Sequence, residues 1–133
     1  MSQTDPIADM LLRMRNAQMA MKDTVEIPHS RIKGEIASIL RREGYIRDFI
    51  VEDGVPPRKT LRVYLKYAAD RKPVIQGIRR DSKSGCRLYV RATEIPRVLS
   101  GMGLSILSTS SGVLSDRDAR KRRVGGELIC SIW

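Results

Sequence analysis

Histidine is nearly absent from this chain: His29 is the only one among 133 residues. A serine or cysteine nucleophile needs a base to take its proton, most often a histidine. His29 lies between Pro28 and the start of a predicted helix, and no pattern around it points toward a nucleophile. No G-x-S-x-G elbow occurs, and no G-x-x-x-x-G-K-[ST] phosphate loop. These absences argue against an enzyme. Cysteine is scarce too: Cys86 and Cys130 stand far apart, match no metal-ligand spacing, and read as small reduced core residues. Neither a metal nor a cofactor is expected. Aromatics make up 5% of the chain and no RRM-type signature is present, so serial base stacking along an extended single strand is not expected. No apolar run reaches the roughly 18 residues a membrane span needs. No signal peptide is visible either, so the chain reads as cytosolic or as made inside an organelle. The first predicted helix mixes Asp5 and Asp9 with Arg13 and Arg15 on its outer face, which is unlike a basic membrane-surface helix, and no membrane partner is expected.

Positive charge is plentiful. Lysine and arginine total 25 against 15 acids, for a net charge of +10. The excess is uneven: residues 1–70 hold 12 basic and 10 acidic side chains, residues 71–133 hold 13 and 5. A chain so charged attracts polyanions, and its second half supplies most of the attraction. With 41% hydrophobic residues the chain is globular, and it is long enough to bury a core.

Asp5-Pro6 opens a predicted helix, a capping carboxylate before a first-turn proline. Ile7, Met10, Leu11, Met14, Ala17 and Met21 form its apolar stripe. Residues 24–28 alternate as a short strand. A second helix is expected over 31–43, ended by Gly44. Residues 45–52 and 60–67 read as strands around a loop at 53–59 that contains Asp-Gly and Pro-Pro. Residues 68–73 look like a linker. Beyond it, 74–80 and 86–91 flank DSKSG as an expected hairpin. A short helix is expected from 93–96 up to Gly101 and Gly103, then a strand over 104–109. Ser115 with Asp118 fits a capping box for a short helix to about residue 123, and residues 127–133 alternate as a last strand. The fold class read from this is α+β in two small domains. Residues 1–68 make an N-terminal αβαββ unit. Residues 74–133 make a mostly β C-terminal unit with short helices.

The segment STSSGVLSDRDARKRRVGG, residues 108–126, carries the chemistry. Ser115 is accounted for as a helix cap. Turn chemistry alone is one reading of Ser108, Thr109, Ser110 and Ser111. Nucleic-acid binding accounts for more of the segment. Hydroxyls donate and accept, Gly112 lets the backbone approach closely, and Arg120, Lys121 and Arg122 offer charge-assisted contacts to phosphate. RNA suits small polar groups, because its minor groove is wide, shallow and lined with 2′-hydroxyls. Arg87, Tyr89 and Arg91 alternate as a basic–aromatic–basic strand face, with Leu88 and Val90 on the other side. A folded RNA gripped by shape is the leading reading. A DNA-binding or nucleoid protein is the rival, distinguished by equal competition from duplex DNA.

The sequence resembles the bacterial small-subunit ribosomal protein eight family along nearly its whole length. The resemblance rests on Ser108-Thr109-Ser110 with Gly112, Ala119-Arg120 and Gly125-Gly126-Glu127. It rests also on DPIADMLLRMRNA at 5–17 and on Gly85-Cys86-Arg87-Leu88-Tyr89. It implies a primary binder of the 16S rRNA central domain that acts early in subunit assembly beside neighbouring small-subunit ribosomal proteins. It also implies, for some members, repression through their own operon mRNA. The implied contacts are Ser108, Thr109 and Ser110, with Tyr89, Gly125 and Glu127 nearby, and Arg13, Arg15 and Asn16 of the first helix touching other ribosomal RNA. Ser111 stands where the family is often basic, Ser84 where proline is common, and Lys121-Arg122-Arg123 is unusually basic. A carboxylate beside RNA must bond to something, so Glu127 is expected to orient Ser108–Ser110 or to read a base.

Overall fold

In a computed structural model that describes residues 5–55 and 58–133, the chain forms two compact units. One comprises residues 7–75. The other comprises residues 76–133 with the segment up to Pro6. The Pro56-Pro57 pair of the expected loop lies outside the described residues.

The N-terminal unit runs α1 (Pro6–Met19), β1 (Thr24–Pro28), α2 (Arg31–Arg42), β2 (Ile46–Asp53) and β3 (Lys59–Leu65), the αβαββ order read from the sequence. Its antiparallel sheet has the order β1-β3-β2. The period-2 pattern of β3 puts Leu61, Val63 and Leu65 into the core, where Met10, Met14, Ile27, Ile36 and Leu40 are also buried. Ser30 caps α2 by accepting from the Lys33 N–H, and Gly44 follows the helix with φ 82°. Lys33 itself is buried. Its ammonium donates to the Pro28 carbonyl at 3.0 Å, and burial lowers its pKa while Asp9 opposes that shift. Met21 does not extend the apolar stripe: α1 stops at Met19, and Met21 takes φ 56° with its side chain exposed. The expected linker at 68–73 is a closed turn instead. Ala68 N–H donates to Lys72 O at 2.8 Å, and Tyr67 bridges Pro73.

The second unit holds β4 (Ile78–Arg80), β5 (Tyr89–Val90), β6 (Leu104–Thr109), β7 (Gly112–Ser115), α3 (Asp116–Arg122) and β8 (Gly126–Ile132). The sheet order is β4-β8-β6-β7, with β5 also on β8. Five consecutive residues of β8, Leu128 to Ile132, are buried, so this central strand is covered on both faces. The expected hairpin over 74–91 is corrected. Ile78 pairs with Ile132 and Tyr89 with Glu127, so β4 and β5 lie end to end along β8 and not against each other. A bridge between Lys83 and Cys86 closes the intervening turn. The expected helix after residue 93 is also corrected. A 3-10 turn over Ala92–Glu94 ends at Ile95, whose ψ of 119° is the extended geometry that Pro96 imposes on the residue before it. A second such turn, Val98–Gly101, contains left-handed Leu99 and Ser100. Strand β7 was absent from the sequence reading. The capped helix was present in it: Ser115 accepts from the Asp118 N–H, and α3 stops at left-handed Arg123. Of the two cysteines only Cys130 is in the core, where burial pushes its thiol up to about 12. Cys86 is exposed, because the turn that carries it faces solvent.

Candidate nucleic-acid interface

The hydroxyl segment is the tip of the β6–β7 hairpin. Thr109 pairs with Gly112, leaving Ser110 and Ser111 as a two-residue turn. Gly112 has φ 99°, the left-handed geometry glycine takes after such turns. The Thr109 hydroxyl closes it: it donates to Gly112 O at 2.8 Å and accepts from the Ser111 N–H at 3.0 Å. Thr109 therefore shapes the turn with the group the sequence offered for recognition. Ser110 and Ser111 are exposed, Ser108 is half-buried, and no side-chain bond is made by any of the three among the described residues.

Two registers bring the second motif to this tip. Ser108 faces Glu127 across β6–β8, and Glu127 faces Tyr89 across β8–β5, so the three form one cross-strand row. Side chains directly opposite one another share a face of the sheet. Tyr89 is 69% exposed, its ring open to a stacking partner. The next row holds Thr109, Gly126 and Val90. A side chain on Gly126 would run into the Ser108 carbonyl, and one on Gly125 into the Val90 carbonyl. The double glycine thus has a packing reason here: it lets β8 pass closely between β5 and β6.

Glu127 does not bond to Ser108–Ser110. Its Oε2 accepts from the Ser82 hydroxyl at 2.5 Å and from Arg87 at 2.9 Å. Burial pushes this carboxyl up. The bonds from Ser82 and Arg87, with the charges of Arg87 and Arg80, outweigh that and hold it below the usual range. Arg87 pairs with Glu127 while its side chain stays about half exposed, so the expected basic–aromatic–basic face keeps Arg87, Tyr89 and Arg91 exposed with one of its two cations ion-paired. Moreover β5 is only two residues long, which leaves Leu88 partly exposed.

Arg120 is likewise engaged internally, bonded to Asp116 at 2.9 Å and to the Pro96 carbonyl at 2.8 Å. Lys121 and Arg122 are exposed at the C-terminal end of α3, a favourable end for cations, and form no bond among the described residues. Arg123, exposed beside them, extends the same cluster. Arg91 is exposed at the start of a 3-10 turn. Arg13, Arg15 and Asn16 stand exposed on α1 in the other unit, where Arg13 pairs with Asp9 at 2.9 Å. Ser82, fully buried, was missed by sequence reasoning. A serine inside an irregular turn carries no signal of what it will reach. Among the described residues no cluster of metal-binding side chains occurs, and no helix is long and apolar enough to cross a membrane.

A family profile described as "Ribosomal protein S8" matches residues 5–133. The chain is 57% identical to "Small ribosomal subunit protein uS8" of Anaeromyxobacter sp. (strain K) over 134 residues, covering 100% of both chains. It is 54% identical to the protein of that name from Syntrophomonas wolfei and 55% identical to that from Chloroflexus aggregans, again covering 100% of each.

Proposed function

The chain belongs to the ribosomal protein S8 family, and from that premise we propose that it binds and organises the central domain of 16S rRNA as the small subunit assembles. It is a structural constituent of the small ribosomal subunit, a component of the ribonucleoprotein that carries out translation in the cytoplasm, and not an enzyme. The observation that carries the finer reading is the row Tyr89–Glu127–Ser108 running into the Ser110–Ser111 turn. It sets an open ring, an anionic acceptor and free hydroxyls at one end of a rigid sheet. Small hydroxyls and a single ring match the shallow, 2′-hydroxyl-lined minor groove of a folded RNA. Lys121, Arg122 and Arg123 of the same unit add sequence-independent attraction to phosphate.

The test is a salt-dependent titration against a 16S central-domain fragment, with scrambled RNA, duplex DNA and the chain's own operon mRNA leader as competitors. Retained binding in the presence of scrambled RNA and DNA supports the reading. Equal displacement by every polyanion overturns it in favour of a nucleoid-type protein. Displacement by the mRNA leader alone among the competitors extends the reading to autoregulation.

A further inference from the structure

We propose that Ser82, which lies beneath the surface, is a positioning residue for RNA selection, holding Glu127 so that one carboxylate oxygen stands outward as a fixed acceptor for RNA donor groups. The inference rests on the RNA-binding reading of the Tyr89–Glu127–Ser108 row. Ser82 is 0% exposed. Its hydroxyl donates to Glu127 Oε2 and accepts from the Leu88 N–H at 3.1 Å, so one oxygen ties the carboxylate to the segment that leads into β5. Arg87 donates to the same Oε2. Both bonds fall on one oxygen, and Oε1 forms none among the described residues. The Glu127 side chain is 21% exposed, and it stands between Ser108 and Tyr89.

This arrangement separates two jobs. Arg87 offsets the charge of Glu127, which lets a carboxylate stand in a basic surface. Ser82 decides where the carboxylate points. A fixed acceptor-only oxygen suits a ribose 2′-hydroxyl or a base amino group and repels a phosphate. An Arg–Glu pair alone leaves the carboxylate free to rotate and offer both oxygens to Arg87. With Ser82 below, Oε2 is committed inward.

The experiment compares wild type, Ser82→Ala, Ser82→Thr, Glu127→Gln and the Ser82→Ala/Glu127→Gln double variant. Each is measured for affinity to the central-domain fragment and to scrambled RNA, for salt slope and for Tm. The Glu127 carboxyl is titrated by NMR, with Arg87, Arg80 and Tyr89 as the charged or titratable groups that face it. Ser82→Ala is expected to weaken cognate binding about tenfold, as loss of a bond to a charged group does, with scrambled RNA and salt slope unchanged. Removing a bond to the charged form raises the carboxyl's pKa, so cognate affinity is lost at a higher pH as pH falls. The double variant is expected to bind no more weakly than Glu127→Gln, and Ser82→Thr, which keeps the hydroxyl, to retain the low pKa. Fragments with 2′-deoxy sugars, or with inosine for guanosine, distinguish the two donor sources by losing sensitivity to Glu127→Gln.

Wild-type cognate affinity in Ser82→Ala, or additive losses in the double variant, overturns the inference while leaving the site standing. An unfolded Ser82→Ala transfers the decision to Ser82→Thr, whose Glu127 titration and cognate affinity must then match wild type. Cognate affinity unchanged in both Glu127→Gln and Ser110→Ala removes the site itself, and the inference with it.

Discussion

The hydroxyls between residues 108 and 115 divide their roles. Thr109 closes the hairpin turn and Ser115 caps α3, while half-buried Ser108 and exposed Ser110 and Ser111 form no side-chain bond among the described residues. Substitutions should separate these roles. Ser110→Ala is expected to hold stability within about 0.5 kcal/mol, as exposed substitutions do, and to weaken cognate RNA by about 1–3 kcal/mol with no change in salt slope. Thr109→Ala is expected to lower stability by about 1 kcal/mol through the two lost hydrogen bonds, and to weaken RNA binding as a consequence. Denaturant melts alongside affinity titrations check both. Equal stability losses in the two variants would contradict this division. The cysteines give a second test at this scale. The Cys130 thiol, raised to about 12 by burial, stays protonated and shielded, whereas Cys86 is exposed. A thiol reagent should modify one cysteine rapidly in the native protein and the second only on unfolding.

Strand β8 is the element that assembles the candidate site. It holds β5 and β4 along one edge and β6 along the other, and it carries Glu127 between Tyr89 and Ser108. That assembly depends on close backbone approach at Gly126. Gly126→Ala sets a methyl group against the Ser108 carbonyl, which belongs to a sheet backbone and cannot swing aside. A loss of about 1–3 kcal/mol is expected, as for overpacking elsewhere, with cognate RNA binding weakened at temperatures where the fold persists. A melting curve and a titration on the same sample check it. Helix α3 offers an independent prediction. It is only seven residues long, so its cap matters: Ser115→Ala should cost about 1 kcal/mol. The element boundaries show what a linear pattern can and cannot convey. The capped α3, the alternating β3 and the Gly44 stop were legible because each is a local rule of spacing or capping. The pairing of residues 74–91 is not legible in the same way, because turn signals show where a chain reverses, not which strand it then pairs with. Nor is strand β7, because four residues between a turn and a cap carry too little alternation.

On the scale of the whole molecule, the net charge of +10 sets nonspecific attraction to polyanions, and its concentration in residues 71–133 sets where that attraction lies. Several of those charges are already paired: Arg79 with Asp81, Arg80 with Asp5, Arg87 with Glu127 and Arg120 with Asp116. Neutralising an exposed cation and neutralising a paired one should therefore differ. Arg122→Ala is expected to weaken cognate and scrambled RNA together and to reduce the salt slope by about one unit. Arg120→Ala should lower stability, because it leaves nearly buried Asp116 without its ion-pair partner, while the salt slope stays near the wild-type value.

Charge, composition and local periodicity were properties of the sequence alone: an α+β chain, strongly basic in its second half, with a hydroxyl turn beside a cationic helix. Those features depend on residues near one another in the chain, where spacing and capping act directly. Only the tertiary structure decided that Arg120 ties α3 to Pro96. It alone brought Ser82, 45 positions away in sequence, beneath Glu127. A hydrogen bond is satisfied by whatever the folded backbone brings within reach, and strand register, set by packing across the sheet, determines what that is.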